Sequence, residues 1–111
     1  MPSQAIGTKV VGVTFEGRQK KLADFYAATV KNVTIERDHD NAYDENAVKV
    51  VGHGDGKDYD LGFIGKDISS HLAPIMDNGG TIGSVTFNVR PGDEGYSWGM
   101  DVNFVLSQEG R

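Results

Sequence analysis

Ala47-Val48-Lys49-Val50-Val51 and Tyr59-Asp60-Leu61-Gly62-Phe63-Ile64 are two strand-like runs, separated by Gly52-His53-Gly54-Asp55-Gly56-Lys57 and a single Asp58. β-Branched and aromatic side chains dominate the runs, and the segment between them is built from turn residues. A connection that short returns the chain beside itself, so the two strands pair antiparallel. The glycines bear a passing likeness to a phosphate loop. Such a loop leads into a helix, whereas strands stand on both sides here, and a hairpin is the better reading. One antiparallel hairpin in the middle of a short chain sets the class, a largely antiparallel sheet to which the rest must attach.

Working outward, Val11, Val13 and Phe15 alternate with Gly12 and Thr14, which predicts a first strand over residues 10–15. Leu22, Phe25 and Tyr26, with Ala23 and Ala27 beside them, then repeat at three and four and predict a short amphipathic helix over 18–28. Val33 and Ile35 return to period two in a strand over 30–36. Beyond the hairpin, Asp67 is placed to cap a second helix whose apolar face is Ile68, Leu72, Ile75 and Met76. Pro74 should kink or divide that helix, and Gly79-Gly80 should end it. Strands over 82–90 and 99–106 complete the chain, joined by the turn segment 91–98. Six short strands and two helices bury their faces best as a small, mainly β barrel with the helices against its ends or sides. A flat sheet with both helices on one face is the alternative.

Composition narrows the function. The 111 residues include no cysteine, which excludes disulfide scaffolds, thiolate zinc sites and cysteine nucleophiles together. At this length one core is the expectation, hence a single domain over 1–111. No apolar run approaches the ~20 residues of a membrane span, and the first residues do not read as a signal peptide, so a cytoplasmic protein without membrane contact is expected. The formal net charge of −5 argues against a protein that coats nucleic acid through a basic surface. The charge is uneven: residues 9–37 carry six basic and three acidic groups, and residues 38–60 two basic and seven acidic.

Much of the acidity belongs to Arg37-Asp38-His39-Asp40-Asn41-Ala42-Tyr43-Asp44-Glu45-Asn46, a polar loop between two good strands. Asp and Asn side chains that bond their own backbone would explain it as a shaped turn. Asp38, Asp40, Asp44 and Glu45 would alternatively offer oxygen ligands to a weakly held divalent cation. An EF-hand loop starting at Asp38 needs glycine where Tyr43 stands, and no histidine pair or nucleophile–base spacing accompanies the carboxylates, so a metal-dependent hydrolase ranks last.

The pattern Arg37-Asp38-x-x-Asn41-x-Tyr43-Asp44-x-Asn46-Ala47-Val48-x-Val50 resembles the signature of the HIRAN domain. Val10-Val11-Gly12-Val13-Thr14-Phe15 upstream, and Leu61-Gly62-Phe63-Ile64-Gly65-Lys66 and His71-Leu72-Ala73-Pro74-Ile75-Met76-Asp77 downstream, fall in family order. The resemblance covers residues 10–104. It implies an OB-type barrel with two helices, a non-catalytic module with no cofactor and no metal, whose partner is the free 3′ end of single-stranded DNA. Phe15 and Tyr43 match aromatic positions that pack on the terminal base, although alternation with Val13 would equally place Phe15 in the core. Asp44 matches a carboxylate that accepts from the 3′-hydroxyl, a contact that repels a phosphate and so separates a chain end from a continuing strand. Asn41 would add neutral hydrogen bonds, Lys66 a phosphate contact, Tyr96 a third aromatic face, and Arg37 belongs to the basic groups that flank the pocket. Thr14 stands where the member with known DNA contacts has arginine, and His39 and Ala42 replace prolines of the loop. That departure, with the net acidity, keeps a second expectation open: a protein-interaction module that retains the fold without the DNA site.

Overall fold

The computed structural model describes residues 3–93 and 95–108. Its elements run β1 (Ser3–Val11), α1 (Arg18–Ala27), β2 (Lys31–Arg37), β3 (Val48–Gly54), β4 (Lys57–Ile64), α2 (Lys66–Asp77), β5 (Thr81–Arg90) and β6 (Gly99–Ser107). The strands form one sheet in the order β2-β3-β4-β1-β6-β5, with every pairing antiparallel. Its edge strands β2 and β5 come back against each other, so the sheet curls into a nearly closed barrel with two short helices, the expected OB-like class. Closure of this kind covers edges that would otherwise offer unpaired backbone groups. Among the described residues no helix is long and apolar enough to cross a membrane.

The central hairpin is tighter than its composition suggests. Only Asp55 and Gly56 lie between the strands, both in the left-handed region at φ 49° and 85°. Gly52 and Gly54 are strand residues, not turn residues, and their absent side chains admit α1. A Cβ on Gly52 would stand 2.8 Å from the Phe25 ring and from Leu61 Cδ1. Phe25 and Leu22 are fully buried there, each worth about 2–3 kcal/mol of apolar transfer as an upper estimate. Phe25 meets Tyr59 and Phe87 at centroid distances of 6.0 and 5.4 Å, so the helix ties the hairpin to β5. Tyr26, expected on the same apolar face, is half-exposed and packs its edge on Trp98. Val48, Val50, Leu61, Met100, Val102, Phe104 and Leu106 complete the centre of the core.

The first strand departs most from expectation. It begins at Ser3 and ends at Val11, pairing with β6 from Ser3↔Ser107 to Lys9↔Asp101 and then with β4 through Val10↔Ile64 and Val11↔Phe63. Of its nine residues only Val10 is buried, so backbone pairing holds it and no apolar rhythm advertises it. At Gly12 the chain turns through φ 76°, and residues 13–17 form turns that carry Phe15 out of the sheet. The second helix starts two residues earlier than a cap at Asp67 predicts. Gly65 is its N-cap and makes no side-chain cap bond, while Asp67 sits in the first turn. Pro74 does not divide it: the helix runs unbroken from Lys66 to Asp77. Gly79 and Gly80 donate back to Met76 and Ile75 and close the helix as expected.

Candidate nucleic-acid interface

A cavity of about 390 Å³ opens where the turn after β1, the start of α1, the acidic loop and β4 meet. Phe15 comes from the first of these, Asn41 and Tyr43 from the loop, so three of the residues singled out from sequence line one pocket. The Phe15 side chain is not in the core. It is 65 % exposed and Tyr43 is 94 % exposed, which leaves two flat aromatic faces at the pocket free for stacking.

The acidic loop owes its shape to its own side chains. The Asn41 carboxamide accepts from the backbone N–H of Tyr43 at 2.8 Å and of Asp44 at 3.0 Å, and its Nδ2 donates to Asp38 at 3.3 Å. Asp44 Oδ1 accepts from the Asn46 N–H at 2.9 Å. Asn41 is therefore the scaffold that presents Tyr43. Asp44 spends one oxygen on the turn and lies beside the pocket lining instead of in it.

Arg37, one of the basic groups expected to flank the pocket, is engaged within the protein. Its Nε and Nη2 donate to the two oxygens of Asp77 at 2.9 and 3.1 Å, and its Nη1 and Nη2 donate to the carbonyls of Ala47 and Glu45. Only 10 % of the side chain is exposed. This fork ties the end of the acidic loop to the last turn of α2. The bond to Asp77 raises the Arg37 pKa, and the Arg37 guanidinium holds the Asp77 carboxyl below the usual carboxylate range.

Lys66 opens α2 on the surface, and neither it nor Tyr96 lines the pocket. Tyr96 is 79 % exposed in the turn between β5 and β6, which Asp93 and Tyr96 close by exchanging backbone hydrogen bonds of 3.0 and 2.8 Å. Gln19 links this turn to the one bearing Phe15. Its Nε2 donates to the Val13 and Trp98 carbonyls at 2.9 and 3.0 Å, and its Oε1 accepts from the Trp98 N–H at 2.7 Å. A lone Gln on a short helix gives no signal of this in sequence.

The pocket also contains residues that sequence patterns did not single out as site residues: Arg18, Asp60 and Phe63. Arg18 is 5 % exposed, lies 5.1 Å above the centre of the Phe63 ring, donates to the Gly12 carbonyl at 3.1 Å and to Asp60 at 3.3 Å. Arg18 read as one of several helix charges, and Phe63 and Asp60 as strand residues; their meeting depends on β1 pairing with β4. Carboxylates of Glu16, Asp38 and Asp40 also line the pocket, so it is rich in acceptors around one guanidinium. Among the described residues no three His, Cys, Asp or Glu side chains are grouped to hold a metal ion, and the cation reading of the loop finds no geometric support.

The chain is thus a small, OB-like antiparallel barrel with an aromatic, acceptor-lined pocket. The family model for the HIRAN domain matches residues 3–107, and the chain belongs to that family, a family of DNA-binding domains. No curated protein and no solved structure matches the chain.

Proposed function

We propose that this chain is a non-catalytic nucleic-acid-binding module that captures the 3′ end of single-stranded DNA. The observation that carries the reading is the convergence of exposed Phe15 and Tyr43 on one pocket beside the Asn41-shaped acidic loop. Aromatic faces suit unstacked bases of any sequence. Carboxylates nearby favour a hydroxyl donor and oppose a phosphate, so a terminus suits the site and a continuing strand does not. Asp44, with one oxygen engaged by Asn46, has its other oxygen for the terminal hydroxyl. Lys66 and Tyr96 serve the approach of the strand from outside the pocket.

Titration of a labelled oligonucleotide by fluorescence anisotropy tests this, comparing a free 3′-hydroxyl with a 3′-phosphate. The hydroxyl form is expected to bind more tightly, and equal affinities overturn end capture. The second reading, a protein-interaction module, draws on the carboxylate-rich lining and on Thr14, which is exposed and uncharged where a DNA contact is expected. A folded protein that binds neither oligonucleotide leaves that reading in place of the first.

A further inference from the structure

β1 is a central strand with one side largely open. It pairs with β6 along residues 3–9 but with β4 only at Val10 and Val11, where β4 ends and the chain passes into α2. Along an antiparallel strand, alternate residues turn their N–H and C=O groups to opposite sides. Residues 3–9 therefore present backbone donors and acceptors on the side that β4 has left, and among the described residues no strand pairs with them there. Natural sheets protect such an edge with charges, proline or a bulge. Residues 3–8 include no charged residue and no proline, and their register with β6 is unbroken. The edge borders a cavity of about 380 Å³, lined by residues 4–7 of β1 and by Asp67, Ile68 and His71 of α2. The Asp67 and His71 side chains have no hydrogen bond or ion pair among the described residues.

We propose that this edge takes up an extended segment of a partner protein, added as a strand alongside β1 and bearing alternate apolar and cationic side chains. Its backbone completes the hydrogen bonds that residues 3–9 leave open, which gives affinity without a demand on sequence. The apolar side chains follow from Ile6 and Ile68, which line the cavity and pack against the core. The cationic ones follow from the unpaired Asp67 carboxylate and the net charge of −5. A second copy of this chain does not suit the place. Two-fold pairing of β1 with itself carries a second α2 into the groove that the first already flanks. The groove shares no lining residue with the pocket of Phe15 and Tyr43, so docking here is independent of end capture and leaves that pocket open.

The test is an NMR titration of the isotope-labelled full chain with a short, end-blocked peptide of alternating valine and lysine. Amide shifts of residues 3–9 and 67–71 are expected to saturate with a dissociation constant below about 1 mM. Two further peptides, N-methylated on the valines or on the lysines, each lose the donors of one strand edge. One of them should bind at least roughly tenfold more weakly, through loss of a few backbone hydrogen bonds, while the other stays close to the parent. Equal binding of the two methylated forms overturns strand addition, because charge alone then drives the contact. Shifts centred on the acidic residues of 38–60, or none that saturate, also overturn it. Asp67→Asn should weaken the parent peptide by about threefold, and an unchanged affinity overturns the choice of a cationic partner. Sedimentation of the peptide-free protein as a dimer, with the amides of residues 3–9 already protected from exchange, overturns the proposal in favour of a second copy.

Discussion

Asn41 shapes the loop that leaves Tyr43 exposed. Asn41 holds two backbone N–H groups of the loop, so its replacement alters the loop before it alters any ligand. Tyr43 touches little of its own protein, with 94 % of its surface in solvent. Tyr43→Ala is expected to change folding stability by no more than about 0.5 kcal/mol, as for other exposed positions. The same change should weaken oligonucleotide binding by at least about fivefold, the low end of what base–aromatic stacking contributes. Parallel urea denaturation and anisotropy titrations check the two halves of this expectation. A comparable loss in both would place Tyr43 in the fold instead of at the ligand. Phe15 is a less clean probe, since its turn also leads into α1 through the Arg18 N–H to Phe15 carbonyl bond of 3.0 Å.

At the scale of elements, the acidic loop and the central hairpin are each fastened by a carboxylate to a distant part of the chain. Asp77 at the end of α2 receives the Arg37 fork, and Asp55 in the hairpin turn accepts from the backbone N–H groups of Thr29 and Val30 at 2.9 Å each. Both carboxyls are held below the usual carboxylate range, Asp77 by Arg37 and Asp55 by the Val30 and Thr29 backbone bonds. A depressed carboxyl pKa stabilises the folded state fully above the unfolded value of about 3.9, and the contribution is lost as pH falls through the lower folded value. Arg37 stays charged throughout that window, so its own raised pKa adds no pH dependence there. The urea midpoint should therefore fall between pH 5 and pH 2.5 more steeply in the native protein than in Asp77→Asn, where one of the two fastenings no longer titrates. Asp77→Asn should also lower the midpoint at pH 7, through loss of the charged fork. Matching pH profiles for the two proteins would remove Asp77 from the account of acid sensitivity.

Across the whole molecule, the charge of −5 sets how nucleic acid is approached. A net charge of this sign gives no long-range attraction, and the charged groups that line the pocket are carboxylates around a single, already paired guanidinium. Affinity must then come from stacking and short hydrogen bonds, with few phosphates neutralised. A plot of log affinity against log salt should have a slope no steeper than about −1.5, the value for roughly two phosphate contacts on a single strand. A steeper slope would mean that the oligonucleotide lies along the basic residues of 9–37 and not in the pocket.

The hairpin strands, the amphipathic spacing of Leu22 and Phe25, the Gly79-Gly80 stop and the last two strands were all legible, because each is signalled by residues close together in the chain. The loop's Asn41, Tyr43 and Asp44 were legible as a motif, and Phe15 as a family position but not as an exposed side chain. Other features have no local signature. β1 is mostly exposed, so its register comes chiefly from the hydrogen-bonding edges of β6 and β4. Gly52 and Gly54 read as turn residues until α1 is laid against them. Arg37 reads as a surface cation until Asp77 arrives from forty residues away. The sequence by itself determined the antiparallel class, the two helices and the loop that carries Tyr43, since apolar periodicity and side-chain-to-backbone bonding are local matters. Only the tertiary structure decided that Arg18, Asp60 and Phe63 line the same pocket as Phe15 and Tyr43, because that meeting is made by strand pairing between segments far apart in the chain.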